Sequence, residues 1–399
     1  MINKKINKYL KIKNEINFLD SFLIGNSISQ NIIKYLNSDF NSIKKIIFLT
    51  FFIQTPKLIK FNDSKKLILI LHQNRDDLNQ QTKNIHKEIK INPELENILI
   101  KNDSNFYNTK FSIKFYPLKK FLKIIEIFKK NEISMNFFQK IDLYVELSNL
   151  KKLERYYSNL LKNKEFTELY GTMSHDKNEI IISSILKKKN PALKHYSIQH
   201  GLNLIMYPNN IISTNIQILN INCDHMYTFG KYYSDLFKKY SPNTTFQEVT
   251  IYSNNNIHSY KIKEKILYVW LDGPDTRYLN TEILKNIINF SEKNKIKYYF
   301  RKHPNDKNNY DEYKKKHYID ENKINHNHTK INIVHNSSQY FKFFLDNQIC
   351  FRIFLNEFDL NLNDIHFDII KNYKDMEKII KIDSSYFKKK KEVKKELFG

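Results

Sequence analysis

Short apolar runs of strand length alternate with longer segments of helical periodicity through most of this chain of 399 residues. Such alternation is typical of open parallel α/β sheets, because a crossover must return the chain between two parallel strands. Strands are predicted at 45–52, 66–71, 141–147, 166–169, 195–198, 266–271, 296–300 and 331–334. Helices are predicted between them, including 118–130, 150–161 and 281–291. The fold class predicted is therefore α/β.

The length is about twice that of a typical domain, so two domains are expected. The stretch 241–263 carries Pro242, repeated Asn and little periodic apolar character, which marks it as the domain junction. We predict one Rossmann-like domain over 1–245 and a second over 246–399.

The net charge of +24 favours anionic partners, which include nucleotide phosphates, nucleic acid, acidic glycans and an anionic membrane surface. Only Cys223 and Cys350 are present, so neither a disulfide framework nor a cysteine-based zinc site is expected. Because no apolar run approaches about 20 residues and no export signal is visible, a cytoplasmic protein is predicted.

Glycine placement points to the ends of the predicted strands. The chain has six glycines, and Gly171, Gly201 and Gly273 each stand at or just beyond a predicted strand. Glycine permits a sharp turn or the close approach of a ligand, and ligands of open α/β sheets bind at the carboxyl ends of strands. Ordinary turn glycines are the alternative interpretation.

Two histidines follow predicted strands. His200 stands after 195–198, where it can act as a general base or donate to a phosphate oxygen, since the unperturbed pKa of histidine is near neutral. His303 ends Arg301-Lys302-His303 at another strand exit, a set suited to a phosphate leaving group. Alternation along the strand predicts Arg301 and His303 on one side, with Lys302 facing solvent. Solvated loop residues are the alternative for both motifs.

Hydroxyl and carboxylate groups follow three further strands. Ser337 and Ser338 precede a periodic segment, where they predict a phosphate site or a simple helix cap. Asp272, with Gly273 beside it, can hold a ribose or sugar hydroxyl, although loop capping is the alternative. Glu168 is a candidate base for an acceptor hydroxyl, with a surface carboxylate as the alternative.

Several signatures are missing from the sequence. There is no Gly-x-Gly-x-x-Gly fingerprint and no Walker A motif, which argues against dinucleotide-binding and phosphate-loop ATPase functions. No Asp-x-Asp pair occurs, so a mechanism that needs no metal ion and no cofactor is predicted.

Four motifs together resemble the two-domain (GT-B) glycosyltransferases of bacterial capsule and lipooligosaccharide synthesis: His200-Gly201, Phe229-Gly230, His303-Pro304 and Ser337-Ser338. His-Pro followed by Ser-Ser is similar to bacterial sialyltransferases and polysialyltransferases, in which the histidine assists departure of CMP and the serines bind its phosphate. His-Gly with His-Pro is also similar to the teichoic-acid glycerophosphotransferases. The resemblance covers 165–380. A sialyltransferase of this type carries an acidic pair before a glycine, whereas Glu168-Leu-Tyr-Gly171 has one carboxylate and a longer spacing.

The resemblance implies a metal-independent, inverting glycosyltransferase. Its donor would be CMP-linked sialic acid or a related ulosonic acid, ahead of a UDP-sugar, and its acceptor a surface glycan or glycolipid. The leaving phosphate would be bound by Arg301, His303, Ser337 and Ser338, and the acceptor hydroxyl deprotonated by Glu168 or His200. The resemblance also implies that 1–245 serves the acceptor and 246–399 the nucleotide sugar, with the two domains facing each other across a cleft. Independently of the resemblance, the basic C-terminal tail could hold the enzyme on an anionic inner membrane through Tyr386, Phe387, Leu397 and Phe398. Solubility or lysine bias explains that tail equally well.

Two other functions use part of the same evidence. A CDP-glycerol-type glycerophosphotransferase would use the same two histidine motifs. A non-enzymatic nucleic-acid-binding protein, which is suggested by charge alone, would need its basic residues in one stripe interleaved with aromatics. Here they are spread along the whole chain, so nucleic acid is not an expected partner.

Overall fold

The structure is a computed structural model that describes residues 2–19, 41–56, 66–68, 107–171, 174, 176–199, 219–228, 230–249, 264–271, 277–303, 306–325, 327–335, 343, 347–353, 369–370 and 374–398. The chain divides into two units, Met1–Ile251 and Tyr252–Gly399. Each unit contains a five-stranded parallel sheet, so the predicted α/β class with two Rossmann-like units is confirmed.

The sheet of the first unit adds its strands in chain order. Its five strands run β2 (Lys66–Ile68), β4 (Glu168–Gly171), β5 (Lys194–Ile198), β6 (His225–Thr228) and β7 (Thr245–Glu248). All neighbours in this sheet are parallel. Because β7 pairs with β6, the first unit extends beyond residue 245. A separate antiparallel pair consists of β1 (Phe52–Pro56) and β3 (Tyr107–Phe111).

Six helices belong to the described part of the first unit: α1 (Ile2–Leu19), α2 (Ile43–Phe51), α3 (Leu118–Lys130), α4 (Phe137–Leu160), α5 (Lys177–Lys189) and α6 (Lys231–Lys238). The helix predicted at 118–130 is confirmed by α3, and the strand predicted at 195–198 by β5. Gly230 begins α6 with a φ of 119°, a backbone conformation that favours glycine.

Two predicted strands are wrong, since 45–52 lies mostly in α2 and 141–147 lies within α4. In α2 the side chain of Ser42 accepts a hydrogen bond from the backbone of Lys45 and caps the first turn. In α4, Asn136 and Gln139 exchange reciprocal side-chain to backbone bonds of 2.9 and 3.0 Å, which form a capping box. These caps start helices in segments whose apolar runs resemble strands.

Helix α4 buries charged side chains that contact α2 and the residues before it. Asn41 donates to the carboxylates of Asp142 and Glu146, in each case at 2.8 Å. The buried amine of Lys152 donates to the carbonyl oxygens of Leu49 and Thr50 at 2.9 and 2.6 Å, near the end of α2. A cation near the last carbonyls of a helix also interacts favourably with the negative end of the helix dipole. Polar contacts therefore fix α2 against α4.

The second unit has a different strand order. Its parallel sheet runs β12 (Ile369–Ile370), β11 (Cys350–Ile353), β10 (His328–Val334), β8 (Glu264–Trp270), β9 (Lys297–Arg301). Thus β8 pairs with β9 on one side and with β10 on the other. The predicted strands 266–271, 296–300 and 331–334 and the helix 281–291 are confirmed, the helix being α7 (Arg277–Asn294).

One face of this sheet packs on α7 and forms the core of the second unit. The core side chains come from alternate positions of the strands, as strand geometry requires, and from one stripe of α7. They include Leu267, Val269, Phe300, Ile331, Ile333, Ile283, Ile287 and Phe290. Beyond the sheet, two short helices, α8 (Glu377–Ile380) and α9 (Ser384–Phe398), end the described chain.

The C-terminal tail differs from the expectation of a membrane anchor. Residues 384–398 form α9, and Tyr386 and Phe387 pack into the core of the second unit. The hydroxyl of Tyr386 donates to the carbonyl of Cys350 at 2.9 Å. These two aromatic side chains are therefore occupied by the fold, while the side chains of Leu397 and Phe398 lie outside the described residues. Among the described helices, none combines the length and apolar character that a membrane span requires.

Helix α1 carries a lysine in an unfavourable environment for its charge. The amine of Lys13 donates to the carbonyl oxygen of Leu219 at 2.8 Å and to the side chain of Asn220 at 3.2 Å. Burial lowers the pKa of Lys13 to about 8. The folded state therefore binds the proton less tightly than the unfolded chain does.

This lowered pKa predicts a pH dependence of stability. Between about pH 8 and about pH 10.5 the unfolded chain holds the Lys13 proton that the folded protein has released, so the free energy of unfolding rises with pH. Relative to Lys13→Met, the wild type should gain roughly 1 to 3 kcal/mol across this range. Urea unfolding of both proteins at several pH values measures the difference. A difference that stays constant with pH would contradict the assignment.

Candidate functional site

The strand order of the second unit places a switch point between β8 and β10. After β8 the chain forms β9 on one side of β8 and then returns to form β10 on the other side. Open α/β sheets bind ligands outside the carboxyl ends of strands at such a switch point. The described strands of the first unit follow each other in chain order and show no such reversal. The carboxyl edge of the second sheet is therefore the candidate site.

Arg301 and Trp270 lie side by side at this edge. They are the last residues of β9 and β8 and are register partners. The guanidinium carbon of Arg301 lies 5.2 Å from the centroid of the Trp270 ring, within the range of a cation–π contact. Arg301 is exposed, and none of the ion pairs among the described residues includes it. The site thus presents a positioned guanidinium to solvent.

Trp270 is itself held from the sheet beneath it. Its indole Nε1 donates to the side chain of Asn332 on β10 at 3.1 Å, and its ring packs against Phe343 at 5.1 Å between centroids. Asn332 is buried and donates in turn to the carbonyl of Ile349 at 3.1 Å. Contacts to two separate segments hold the indole, which in turn contacts Arg301.

Two tyrosines extend the aromatic surface along the same sheet face. Tyr268 and Tyr299 both donate their hydroxyls to Glu321, at 2.5 and 2.9 Å. Burial, together with the hydrogen bond to this carboxylate, raises the pKa of Tyr299 to about 12. Both hydroxyls therefore remain protonated near neutral pH and keep donating to Glu321.

The loop after β9 folds back against the first turns of α7. Asp306 is buried, and its carboxylate accepts from the hydroxyl of Tyr310 at 2.7 Å and from the backbone of Asn308 at 2.9 Å. The amide of Asn280 on α7 donates to the Tyr310 hydroxyl at 3.3 Å. Burial acts to raise the pKa of Asp306, but the hydrogen bonds outweigh it and lower that pKa below its usual value.

This network positions His303. The backbone of Asp306 donates to the carbonyl of His303 at 2.9 Å, and the His303 side chain is partly exposed. Because β9 ends at Arg301, His303 lies in the loop and not on the strand, so the predicted strand alternation does not reach it. Lys302 is exposed as predicted, and its amine donates to the carbonyl of Asn308 at 3.2 Å.

A buried arginine joins the next two strand ends. Arg352 on β11 is 2% exposed, and its Nε donates to the carbonyl of His335 at 3.0 Å, just after β10. His335 is also buried. These contacts fix the position from which the chain leaves β10 toward Ser337.

Five residues predicted for the site lie outside the described part of the structure: His200, Asp272, Gly273, Ser337 and Ser338. Their distance along the chain from described strands is known nonetheless. Asp272 and Gly273 come two and three residues after β8 ends, and Ser337 comes three residues after β10 ends. They follow the two strands that flank the switch point, and their roles stay predictions.

Glu168 does not end its strand as predicted. The strand predicted at 166–169 is instead β4, which begins at Glu168, so this carboxylate lies at the amino edge of the first sheet. It pairs with Lys66 at 3.0 Å and accepts from the hydroxyl of Tyr170 at 3.1 Å. Ligands bind at the opposite edge, so the placement favours a structural role for Glu168.

The first unit holds a buried acid that the sequence analysis missed. Glu179 on α5 is fully buried, and its Oε1 lies 2.9 Å from both His195 Nε2 and Ser197 Oγ on β5. Ser183 lies 3.0 Å from the other ring nitrogen of His195. The four side chains form a closed polar cluster between α5 and the sheet.

The position of this cluster explains why residue 171 is a glycine. A Cβ placed on Gly171 would lie 2.0 Å from the carboxylate carbon of Glu179, closer than real contacts allow. The glycine predicted to serve a turn or a ligand therefore makes room for a buried carboxylate. The spacing of Glu179 and Ser183, four residues apart on one helix face, is the sequence signal that points to the cluster.

The residues missed in the second unit are Trp270, Asn280, Asp306 and Tyr310. Trp270 could have been found, since it is the sole tryptophan and stands at the predicted end of a strand. The other three act through contacts between α7 and the loop after β9, which short motifs do not reveal. Among the described residues, no group of His, Cys, Asp or Glu side chains is arranged to hold a metal ion.

Fold and site together define a two-unit α/β protein with a cationic, aromatic edge at the switch point of its second parallel sheet. No protein-family model matches the chain, and no curated protein matches its sequence. Solved structures that resemble it include a UDP-GlcNAc 2-epimerase from Methanocaldococcus jannaschii in complex with UDP-GlcNAc and UDP (12% identity, 79% of this chain, 92% of that chain, TM-score 0.46). MnaA of S. aureus with UDP matches at 11% identity, covering 82% of this chain and 90% of that chain, with a TM-score of 0.45.

A UDP-GlcNAc 2-epimerase from Neisseria meningitidis, bound to UDP-GlcNAc, matches at 9% identity over 82% of this chain and 93% of that chain, with a TM-score of 0.43. At these values neither activity nor substrate carries over to this chain. Its function has to be inferred from its own residues.

The contact between Gly171 and Glu179 predicts a coupled effect of substitution. Gly171→Ala should destabilise the first unit by roughly 1 to 3 kcal/mol, because the new methyl group overlaps the Glu179 carboxylate. The double variant Gly171→Ala/Glu179→Ala should lose less stability than the sum of the two single variants, since the overlap is gone. Urea unfolding of the four proteins measures the coupling. Simple additivity would contradict direct contact.

Proposed function

We propose that this chain is a nucleotide-sugar enzyme, and specifically an inverting glycosyltransferase that needs no metal ion. The observation that carries the proposal is the Arg301–Trp270 pair at the carboxyl ends of β9 and β8, beside the switch point of the second sheet. An exposed guanidinium positioned by an aromatic ring suits a phosphate group of a nucleotide.

The charge of Arg301 supports a ligand role over a structural one. Structural arginines usually form an ion pair with a carboxylate, whereas Arg301 contacts the face of Trp270 and forms no ion pair within 4 Å among the described residues. Its charge is nonetheless close enough to Glu321 to help lower the pKa of that carboxyl. A cation–π contact of an exposed arginine is worth only about 0.5 to 1 kcal/mol, so a phosphate can readily compete for the guanidinium. His303 follows on the loop fixed by Asp306, and we assign it to the same phosphate.

Residues outside the described structure complete the proposed donor site. Ser337 and Ser338 follow β10 and would donate their hydroxyls to the phosphate. Asp272 follows β8 with Gly273 beside it, and it would hold a hydroxyl of the ribose or sugar. The assignment of all four residues rests on their position just after strands that flank the switch point.

The reaction transfers a glycosyl group with inversion. An acceptor hydroxyl oxygen attacks the anomeric carbon, its proton passes to a base, and the bond from that carbon to the phosphate oxygen breaks. The bonding electrons leave with the phosphate, whose added negative charge Arg301 and His303 stabilise. We assign the base to His200, which comes two residues after β5, because Glu168 lies at the amino edge of that sheet.

A CMP-linked sialic acid or a related ulosonic acid is the donor we propose first, with a UDP-sugar second. The acceptor would be a bacterial surface glycan or glycolipid. The donor preference rests on the order of the His-Pro and Ser-Ser motifs. The residues that the structure describes are proposed to bind the phosphate, and none of them is proposed to recognise the nucleobase of the donor.

Trp270 provides a direct measurement, because it is the only tryptophan of the protein and lies under Arg301. Titration with CMP, CDP, UDP, GDP or ADP, without metal, should change its fluorescence when a phosphate draws the guanidinium from the ring. CMP is expected to bind most tightly. Arg301→Met should weaken that binding roughly 10- to 100-fold, the value of a lost charge-assisted hydrogen bond.

The control is Lys316→Met, which removes one positive charge at an exposed position of the same unit and should change affinity less than twofold. Calorimetry gives affinities independently of the fluorescence. If CDP-glycerol is hydrolysed while CMP-sialic acid is not, the glycerophosphotransferase replaces the sialyltransferase. If no nucleotide binds, or Arg301→Met binds as well as wild type, the donor-site proposal is wrong.

A further inference from the structure

The first unit exposes an unusual number of large apolar side chains in one region. Among the described residues twelve large hydrophobic side chains are exposed, and ten of them lie in 43–51, 111–122 and 137–138. Phe137, Phe111 and Leu118 are 70, 67 and 61% exposed. Scattered exposed hydrophobics are normal in soluble proteins, but a group of this size indicates an interaction site.

The exposed side chains follow the period of each element. On α2 they recur every four residues at Ile43, Ile47 and Phe51, while Ile46 and Leu49 on the opposite stripe are buried. At the end of β3 and along the extended chain after it they fall on alternate residues, at 111, 113 and 115, and on α3 at 118 and 122. Helices α2 and α3 therefore each have a buried apolar stripe and further apolar side chains that are exposed.

Contacts connect several of the elements that carry these side chains. Phe52 and Phe111 are register partners whose rings lie 5.9 Å apart, and the backbone of Ser112 donates to the carbonyl of Phe51 at 2.9 Å. The chain runs on without interruption from Phe111 to α3. The ring of Phe115 stacks on Tyr144 of α4 at 6.5 Å, and Phe137 begins that same helix.

Lysine is the prevailing charged residue beside these side chains, although the exposed Glu126 follows Leu118 and Leu122 on α3. Residues 41–56 and 107–125 contain seven lysines and no acidic residue. The lysines are Lys44, Lys45, Lys110, Lys114, Lys119, Lys120 and Lys123, and all but Lys120 are exposed. Lys44, Lys114, Lys119 and Lys123 form no ion pair with any of the described residues. We call the ten apolar side chains and seven lysines the apolar–lysine face.

We propose that the apolar–lysine face docks on the anionic surface of a lipid bilayer. Exposed Phe, Ile and Leu side chains can enter the boundary between head groups and acyl chains, and lysines beside them attract anionic head groups. A second copy of the chain would bring seven lysines against seven lysines, which disfavours self-association. Nucleic acid could stack its bases on the five phenylalanines of the face, but it would gain little from the other five side chains, which are Ile and Leu and suit an acyl-chain environment better.

The proposal differs in place from the membrane contact expected at the C-terminal tail, whose Tyr386 and Phe387 belong to the second core. It is also independent of the proposed transferase function, because vesicle binding is measured without nucleotide. Failure of the membrane-docking proposal would therefore leave the proposed transferase function untouched, and the reverse also holds.

Co-sedimentation of the full chain with vesicles tests the docking surface. Vesicles of phosphatidylcholine with about a quarter phosphatidylglycerol should retain the protein, and pure phosphatidylcholine vesicles should retain much less. Lys119→Glu/Lys123→Glu should weaken binding at least tenfold. Lys388→Glu/Lys391→Glu on α9 makes the same change of net charge at exposed positions and should weaken binding less than threefold.

A second pair separates apolar insertion from simple charge attraction. Leu118→Ser/Phe137→Ser keeps every lysine and removes two of the most exposed apolar side chains, so it should also weaken binding severalfold with an unchanged melting temperature. Equal losses in the two charge variants, or full binding by the serine variant, would overturn the proposal. The proposal would also be wrong if the wild type bound neither kind of vesicle. It would be wrong as well if the wild type were a dimer and Leu118→Ser/Phe137→Ser dissociated that dimer.

Discussion

Parallel pairing of β8 with a strand on each side is the constraint on which the second unit depends. Because β9 and β10 both run in the direction of β8, their carboxyl ends meet at one edge of the sheet. A chain that forms β9 first must then cross β8 to form β10, which makes the carboxyl end of β8 a switch point of the sheet. Arg301 and Trp270 stand at this edge. Backbone pairing therefore determines where the proposed site lies, and the Arg301–Trp270 pair carries the chemistry proposed for it.

Several buried charged groups among the described residues are held by partners from other segments of the chain. The amine of Lys152 satisfies carbonyls near the end of α2, the Nε of Arg352 satisfies a carbonyl after β10, and Glu179 accepts from two residues of β5. An unpartnered group of this kind would cost about 1 to 3 kcal/mol or more. These contacts offset the cost of burying a polar or charged group, and each of them also fixes one element against another.

The elements that the sequence predicted best are those whose pattern has a single explanation. Helix 118–130 has an apolar stripe of helical period, and strands such as 195–198 are short and bounded by turn residues. Segments 45–52 and 141–147 were mistaken for strands because a short apolar run fits a buried helix equally well. In α4 the buried Asp142 and Glu146 also hide the helical stripe, since their partners come from residues far away in the chain.

Site residues could likewise be predicted where they follow an evident strand, but not where they depend on contacts between distant segments. Arg301 could be placed at a strand exit because the strand itself was evident, whereas Asp306 and Tyr310 depend on a contact between the β9 loop and α7. Glu168 was misplaced by a shift of two residues in one strand boundary, which was enough to move it to the opposite edge of the sheet. A boundary error of that size leaves the fold correct and changes the chemistry.

The contact between Gly171 and Glu179 also constrains how this protein can change over time. The space that any side chain at 171 would need is occupied by the acid at 179, so the two positions share one volume. A larger residue at 171 requires the carboxylate at 179 to move away or to be replaced by a shorter side chain, so a change at one position alters what the other can be. The two positions should therefore be inherited as a pair, and their joint variation among descendants would record that shared space.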